Sequence, residues 1–412
     1  MTLIGLSAAY IRARALNAAL NVLLLGLGVG TIVVLLLFSH QLEQRLERDA
    51  RGVDLVVGAK GSPLQLILSS VYHLDVPTGN IPLADAHTIA ANPMVKAAVP
   101  LALGDSYLGF RIVGTDHAYV ALYDGKTGAG RLWDKPFEAV LGAEAAARSH
   151  LRLGDKFVGS HGLVEGGEKH EHSPYTVVGI LAASGSVLDR LVLTSVESVW
   201  EVHGQGHHDE DGHHDEDGDK GGDHAADEHL QPQEVTALLV QYRSPMAAAI
   251  LPRQINAQSA LQAASPAFES ARLLSLVGVG IDTVQAFAVV LMLCAGLSVF
   301  IALYNALRER RYDLAVMRSL GASRSKLLAA VLIEGLILTS LGVVLGLLLG
   351  HLLAHGLGLW LEASQRVHIT GWTLIRDEAA LVVAALCIGL LSAALPAVLA
   401  YRTDIAGVLA KR

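Results

Sequence analysis

The chain has 412 residues, 52% of them hydrophobic and 17% charged, which is too long for one ordinary domain and too apolar for a water-soluble one. Its formal net charge of −8 is concentrated in one place, because His203–His229 carries ten Asp and Glu against Lys220 alone, and the rest of the chain is close to neutral. Only Cys294 and Cys387 are present, both inside apolar runs, so a disulfide framework is excluded in the polar part, and no nucleic-acid partner is expected.

A bilayer core of about 30 Å takes about 20 apolar residues in a helix, and four stretches qualify. Residues 1–38 read as an N-terminal amphipathic segment and a first span from Leu16 to Phe38. Its apolar core outlasts the roughly 7–15 residues of a signal-peptide core and ends on no small-residue cleavage site, so a retained anchor is expected. Residues 39–280 then form an extracytoplasmic domain. Within it, Gln41–Arg51 has the spacing and charge of a helical stalk; Val53–Val57 and Ala97–Leu103 read as strands, and Leu83–Ala91 as a short helix. Phe110–Val113, Tyr175–Ile180 and Val235–Tyr242 read as further strands, Leu141–Leu151 as a helix closing on Gly154-Asp155, and Ser259–Val277 as a second stalk.

The second span runs from Ile281 to Leu307, the third from Leu327 to Leu353 within residues 327–355, and the fourth from Ala379 to Ala400 within 379–401. A short loop of residues 356–378 and a tail of residues 402–412 complete the membrane part. Arg12 and Arg14, then Arg308, Arg310, Arg311, Arg318, Arg324 and Lys326, then Arg402, Lys411 and Arg412 mark the cytoplasmic side, and both termini with it. Arg45, Arg48 and Arg51 oppose that bias, but Glu43, Glu47, Asp49 and Asp54 cancel them locally. The expected fold class is therefore an integral membrane α-helical protein with four transmembrane helices, a large mixed α/β extracytoplasmic domain between helices 1 and 2, and helical stalks.

Gly342, Gly346 and Gly350 recur every four residues in the third span, on one helical face, where backbones can approach closely in helix packing or dimerisation. Pro396 is expected to kink the fourth span. Apart from Glu334 and His351, the spans hold no ionisable residues of the sort that make a proton relay, which points to energy supplied from outside the membrane.

Residues 203–229 read HGQGHHDEDGHHDEDGDKGGDHAADEH, with HHDEDG in tandem. Low hydrophobicity, repeated glycine and dense like charge predict a disordered loop. Its seven histidines and ten carboxylates suit Zn²⁺, Ni²⁺ or Cu²⁺; His203, His207, His208, His213, His214, His224 and His229 with Asp209 and Asp215 are the candidate ligands. Binding there is expected to be weak, plural and exchangeable, with Zn²⁺ the foremost ion, and to weaken as protons compete for the imidazoles. A merely solvated acidic loop is the plain alternative. His161, His170, Glu171 and His172 form a smaller upstream group.

Between the second and third spans, residues 308–326 carry Leu314, Met317 and Leu320 on one helical face and charges on the other, the pattern of an amphipathic helix on the cytoplasmic membrane surface. Glu309-Arg310, Asp313-Leu314, Arg318 and Leu320-Gly321-Ala322-Ser323 resemble the signature of the permease family that includes the macrolide exporter MacB, the cell-division protein FtsX and the lipoprotein-releasing Lol permeases. Asp313 stands where that pattern usually has Glu. The resemblance implies a bacterial inner-membrane permease, paired with a second permease copy and with a separate ABC ATPase that docks on this segment through Glu309, Arg310, Asp313, Leu314, Met317, Arg318 and Gly321. It also implies a mechanical mode of transport, in which ATP-driven motion flexes the stalks. Gly52–Pro82 resembles a branch of these permeases that carries His-rich loops and is linked with zinc-responsive transport, which implies a periplasmic metal-binding or substrate protein as a further partner.

No phosphate-cradling GxxxxGK[ST] occurs in the chain, so ATP hydrolysis is not expected here. Lys60 and His73 read as structural rather than functional residues. A lipoprotein, peptide or drug substrate, and an FtsX-like signal transmitter that activates an envelope partner, are the competing functions. An enzyme is disfavoured, since no nucleophile, acid–base pair or fixed metal set stands at recognisable spacing.

Overall fold

A computed structural model describes residues 3–162, 173–205, 233–365 and 369–402. In chain order the elements are α1 (Leu3–Ala13), α2 (Ala15–Asp49), β1 (Leu55–Ala59), α3 (Pro63–Ser70), β2 (Ile81–Pro82), α4 (Leu83–Ala90), β3 (Val95–Tyr107), β4 (Phe110–Gly114) and α5 (His117–Leu122). They continue with β5 (Thr127–Gly130), β6 (Glu138–Leu141), α6 (Ala143–Ser149), β7 (Lys156–Phe157), β8 (Ser160–His161), β9 (Tyr175–Leu181), a 3₁₀ turn (Val187–Arg190), β10 (Leu191–Thr194) and α7 (Val196–Gln205). The last are β11 (Glu234–Val235), β12 (Ala237–Tyr242), α8 (Pro245–Gln258), β13 (Leu261–Ala264), α9 (Pro266–Glu309), α10 (Arg311–Ser319), α11 (Arg324–Gln365) and α12 (Arg376–Tyr401). Two compact units result: a helical unit of Met1–Glu43 with Leu276–Arg412, and a sheet unit of Gln44–Ser275.

The sheet unit is built on an 11-stranded sheet of order β13-β1-β12-β3-β4-β10-β6-β9-β5, with β8 added to β3 and β7 to β9. β1 lies between β12 and β13, and its side chains on both faces are covered, with Leu55, Val56 and Val57 fully buried. α8 covers this end: Ala247, Leu251 and Ile255 recur every four residues, and Pro245 at its first turn has no N–H to leave unpaired. A second core forms around Phe110, Leu141, Phe157, Tyr175 and Val192.

β3 joins the two halves. Its first part pairs with β12 as far as Leu101, and its second part pairs with β4 on one side and β8 on the other. Between Leu103 and Ser106 the pairing with β4 slips, leaving Gly104 and Asp105 in a bulge. Bulges re-aim side chains, and this one turns a carboxylate inward.

The stalk expected at Gln41–Arg51 is the end of α2, whose last turn is fastened inside the sheet unit. Buried Asp49 accepts a 2.6 Å bond from Arg190, with Arg45 at 4.0 Å, and its carbonyl accepts a 2.9 Å bond from the Tyr123 hydroxyl. Tyr72 lies between the roots of α2 and α9, with its hydroxyl 3.4 Å from the Leu46 carbonyl and hydrogen-bonded with the Ser270 hydroxyl.

The second stalk is shorter than the 259–277 reading. Leu261–Ala264 is a strand on the edge of β1, and only from Pro266 does the helix run. Pairing with β1 wins there because Leu261 and Ala263 bury their side chains on the core face. Leu141, likewise, closes β6 rather than opening a helix; Gly142 takes the N-cap place and α6 begins at Ala143.

In the helical unit, α2, α9, α11 and α12 are long and apolar enough to cross a membrane. Their shared core holds Leu25, Val29 and Val33 of α2, Ala288, Met292 and Ala295 of α9, Val343 of α11, and Leu381 and Ala385 of α12. Gly342, Gly346 and Gly350 of α11 lie directly against Leu25, Val29 and Val33; a Cβ at Gly346 would stand 2.6 Å from the Val29 Cβ. Gly26 and Gly30 of α2 answer with their own bare faces toward Leu345 and the Gly346 carbonyl. At the far side of α11, Gly389 of α12 leaves room for Thr339, whose hydroxyl would be 1.9 Å from an added Cβ. Small residues thus set the spacing of α11 to both neighbours. α12 stays a single helix through Pro396.

Candidate functional site

Among the described residues, two places gather candidate functional side chains. The first, in the helical unit, is the turn from α9 through α10 into α11. Within 308–326, Arg308 and Glu309 end α9, Arg311–Ser319 form the separate nine-residue α10, and Arg324–Lys326 begin α11. Its end is a Schellman cap: Ala322 N–H bonds the Met317 carbonyl and Gly321 N–H the Arg318 carbonyl, both at 3.0 Å. Gly321 adopts φ +98°, a conformation costly for any residue with a Cβ. Ser323 then caps α11, its hydroxyl accepting from Lys326 N–H at 3.3 Å. The LGAS tetrapeptide is therefore one helix stop and the next helix start.

Arg310 locks this turn in place. Its guanidinium lies 3.3 Å from Glu334 of α11 and 3.6 Å over the ring of Tyr10 in α1, and it reaches the Tyr10 carbonyl at 3.4 Å. Arg14 pairs with Glu309. Leu314 and Met317 pack with Leu307, Leu327 and Ala400. Leu320, expected on that same apolar face, is 81% exposed, because the helix has ended and Leu320 occupies the C-cap. Of the residues assigned to coupling, Arg310, Leu314 and Met317 thus hold the turn internally. Glu309 is exposed beside Arg14, Arg318 is half-buried, Gly321 is exposed at the cap, and Asp313 lies in the first turn of α10.

The second place is in the sheet unit, on β3. Asp105, aimed inward by the bulge, is only 3% exposed, yet it belongs to a polar cluster with His161 and His203. β8 brings His161 opposite Asp105 in register, and Ser160 donates to the Ser106 carbonyl at 3.2 Å. α7 brings His203 in its last turn, with Val199 and Val202 burying the helix against the sheet. His161 Nδ1 is 3.4 Å and His203 Nε2 3.8 Å from Asp105 Oδ1, and the two imidazoles meet edge to face at 5.4 Å. Gly104 makes room for the His203 ring; a Cβ there would lie 2.8 Å from its Nε2. Tyr175, buried behind the cluster, has its phenol pKa pushed up by burial and further by the Asp105 charge.

His203 was expected in the disordered loop but closes a helix. The tandem histidines lie outside the described residues: His207, His208, Asp209, His213, His214, Asp215, His224 and His229, and upstream His170, Glu171 and His172. Asp105 was missed by sequence reading. A lone acid in a strand has no spacing signal, and only the bulge places it beside two histidines. His73 is a core residue, its Nε2 2.9 Å from the Tyr119 hydroxyl, and burial with the nearby Arg111 and Arg190 charges pushes its pKa well below the ordinary value. Lys60 is exposed.

Comparison with known proteins bears on both places. Residues 18–258 match the model of the MacB-like periplasmic core domain, and residues 286–405 that of the FtsX-like permease C-terminal domain. Among solved structures, the periplasmic region of MacB from Actinobacillus actinomycetemcomitans is similar at 12% identity and a TM-score of 0.33, over 54% of this chain and 95% of that one. The extracellular domain of the noncanonic ABC-type transporter YknZ from Gram-positive bacteria is similar at 14% identity and a TM-score of 0.30, over 51% and 98%. No curated protein matches. Since the periplasmic core model alone spans more than half of the residues, and the permease model takes up most of the remainder, the chain belongs to the MacB/FtsX-type family of ABC transporter permeases.

Proposed function

We propose that this chain is the transmembrane subunit of an ATP-driven transporter of the mechanotransmission type, working in the bacterial inner membrane with its termini in the cytoplasm. A separate ATPase subunit docks on α10, a second permease copy completes the assembly, and the two stalks carry motion into the sheet unit. The carrying observation is the build of the α10 turn. Arg310, Glu334 and Tyr10 hold it, Gly321 caps it, and Leu320 at 81% and Tyr312 at 48% exposure present an apolar and an aromatic surface. Motion imposed on α10 would pass through Arg310 to α11 and α1 as one body.

The task of the machine is the handling of divalent metal, zinc foremost, at the periplasmic face. The density of histidine in 203–229, and the gathering of His161, His203 and Asp105, support this over a lipoprotein, peptide or drug substrate. The test of the subunit reading is copurification of the ATPase from the native membrane with wild-type protein and with Leu320→Asp. The exposed site tolerates the charge, so the variant should insert and fold while losing the ATPase. Full retention of the ATPase by Leu320→Asp and Tyr312→Ala together would sink the docking assignment.

A further inference from the structure

The geometry points to a fixed divalent-cation site formed by Asp105, His161 and His203, separate from the weak and plural binding expected of the histidine repeat. The inference rests on the metal half of the proposed function and sharpens it: it names three ligands on folded elements and a cation of borderline softness, Zn²⁺ first among them.

Zinc bonds to imidazole nitrogen and carboxylate oxygen of about 2.0–2.1 Å place neighbouring ligand atoms about 3.3 Å apart in a tetrahedron. The imidazole nitrogens stand 3.4 and 3.8 Å from Asp105 Oδ1, and one ligand atom from each of the three residues lies within 4.8 Å of the others. To close the shell, the two nitrogen–carboxylate distances shorten by about 0.1 and 0.5 Å and the two imidazoles approach each other by at most about 1.5 Å, a movement open to the exposed His161 ring. One carboxylate and two neutral imidazoles suit zinc and its first-row neighbours better than calcium or magnesium, which take oxygen ligands.

Three features argue that the site is built rather than incidental. The carboxylate is buried at 3% exposure, so its oxygens are held away from competing bulk water. The bulge that turns it inward is held from behind: Gly162 N–H bonds the Gly104 carbonyl at 3.0 Å, and Leu103 N–H bonds the Thr236 hydroxyl at 2.9 Å. At the same point Gly104 lets the His203 ring come close, where an added Cβ 2.8 Å from its Nε2 would make the ring shift. The two imidazoles are partly open, at 61% and 37% side-chain exposure, so an ion can enter and leave. Three protein ligands leave a fourth position for water or an outside donor, the arrangement of exchangeable rather than purely structural zinc.

The site also has a place in the chain. Residues 163–172, with His170 and His172, follow almost directly on His161, and residues 206–232, with six histidines, follow closely on His203. Ions held by either histidine-bearing stretch would be delivered to the site at a raised effective concentration. Occupation would tie β8 and α7 to β3, so that the sheet unit registers the cation as a cross-link between three elements.

The experiment is a Co²⁺ and Zn²⁺ titration of the full-length protein in detergent, in three forms: wild type, a variant lacking 206–232, and that deletion carrying His161→Ala. Because His161 is exposed, its loss leaves the fold intact, and Gly104→Ala provides a second probe that removes no ligand. The deletion should retain one equivalent with a tetrahedral Co²⁺ spectrum. His161→Ala should weaken that equivalent beyond the about 10–100-fold that loss of outer-shell support costs, and Gly104→Ala should weaken it by displacing His203. If the wild type binds several equivalents and the deletion none, the loop captures metal but the fixed site is refuted. If the wild type binds none, the metal reading falls with it. A retained equivalent indifferent to His161→Ala and Gly104→Ala also overturns the assignment.

Discussion

Arg190→Ala tests whether the root of the first stalk is as firmly seated as its contacts imply. The substitution removes a 2.6 Å bond to Asp49, whose side chain is almost wholly buried, and leaves Arg45 as the remaining cation at 4.0 Å. Removing one partner of a buried pair costs about 3–5 kcal/mol because a desolvated charge is stranded. Arg45 offsets part of that loss, and the carboxyl can take up a proton, so about 2–4 kcal/mol is expected here. Asp49→Ala removes the stranded charge, so the double variant Arg190→Ala with Asp49→Ala should lose less than the sum of the two single changes, by at least about 1 kcal/mol. Pulse proteolysis of the full-length protein in urea reads the opening of the sheet unit in each of the four forms. A cost below about 0.5 kcal/mol for Arg190→Ala, or additivity within about 0.5 kcal/mol, would leave the stalk root no firmer than an exposed surface ion pair.

Two further outcomes follow from single residues. Gly346→Ala sets a Cβ 2.6 Å from Val29 and 2.9 Å from the Gly26 carbonyl and should destabilise the helical unit by about 1–3 kcal/mol, while Gly280→Ala, with nothing within 4 Å, should be neutral or gain up to about 1 kcal/mol in helix propensity; in thermal inactivation in detergent only Gly346→Ala should lower the midpoint. His73 is held neutral in the fold, and its Nδ1 meets no polar partner among the described residues, so charging it would strand an N–H. Its folded pKa lies below the unfolded one, hence its contribution is complete above about pH 6.5 and is lost as pH falls toward the folded value, at up to about 1.4 kcal/mol per unit; His73→Gln should flatten the acid limb of the stability profile between pH 7 and 5, and an unchanged limb would exclude His73 as its source.

Much of the architecture was legible in the residues because its causes are local. The four apolar stretches follow from the length of a helix needed to cross hydrocarbon, and the α/β character of the outer domain follows from short β-branched runs such as Tyr175–Ile180 and Phe110–Val113. Misreadings fell where local preference competes with distant pairing. Ser259–Val277 has helical neighbours, yet Leu261–Ala264 pairs with β1, two hundred residues earlier in the chain. Leu320 fits the apolar period of α10, yet Gly321 ends the helix before that period can place it.

By itself the sequence determined the membrane character, the four helices, the repeated glycine face and the abundance of metal-seeking side chains, since each depends on composition or on spacing within one element. The contact partners come from the tertiary structure: the glycines of α11 close on α2, Arg310 meets Glu334 and Tyr10, and Asp105 meets His161 and His203. Periodicity says which residues share a face. Only the folded chain, through strand register and a bulge, gathers Asp105, His161 and His203 from three elements far apart in sequence.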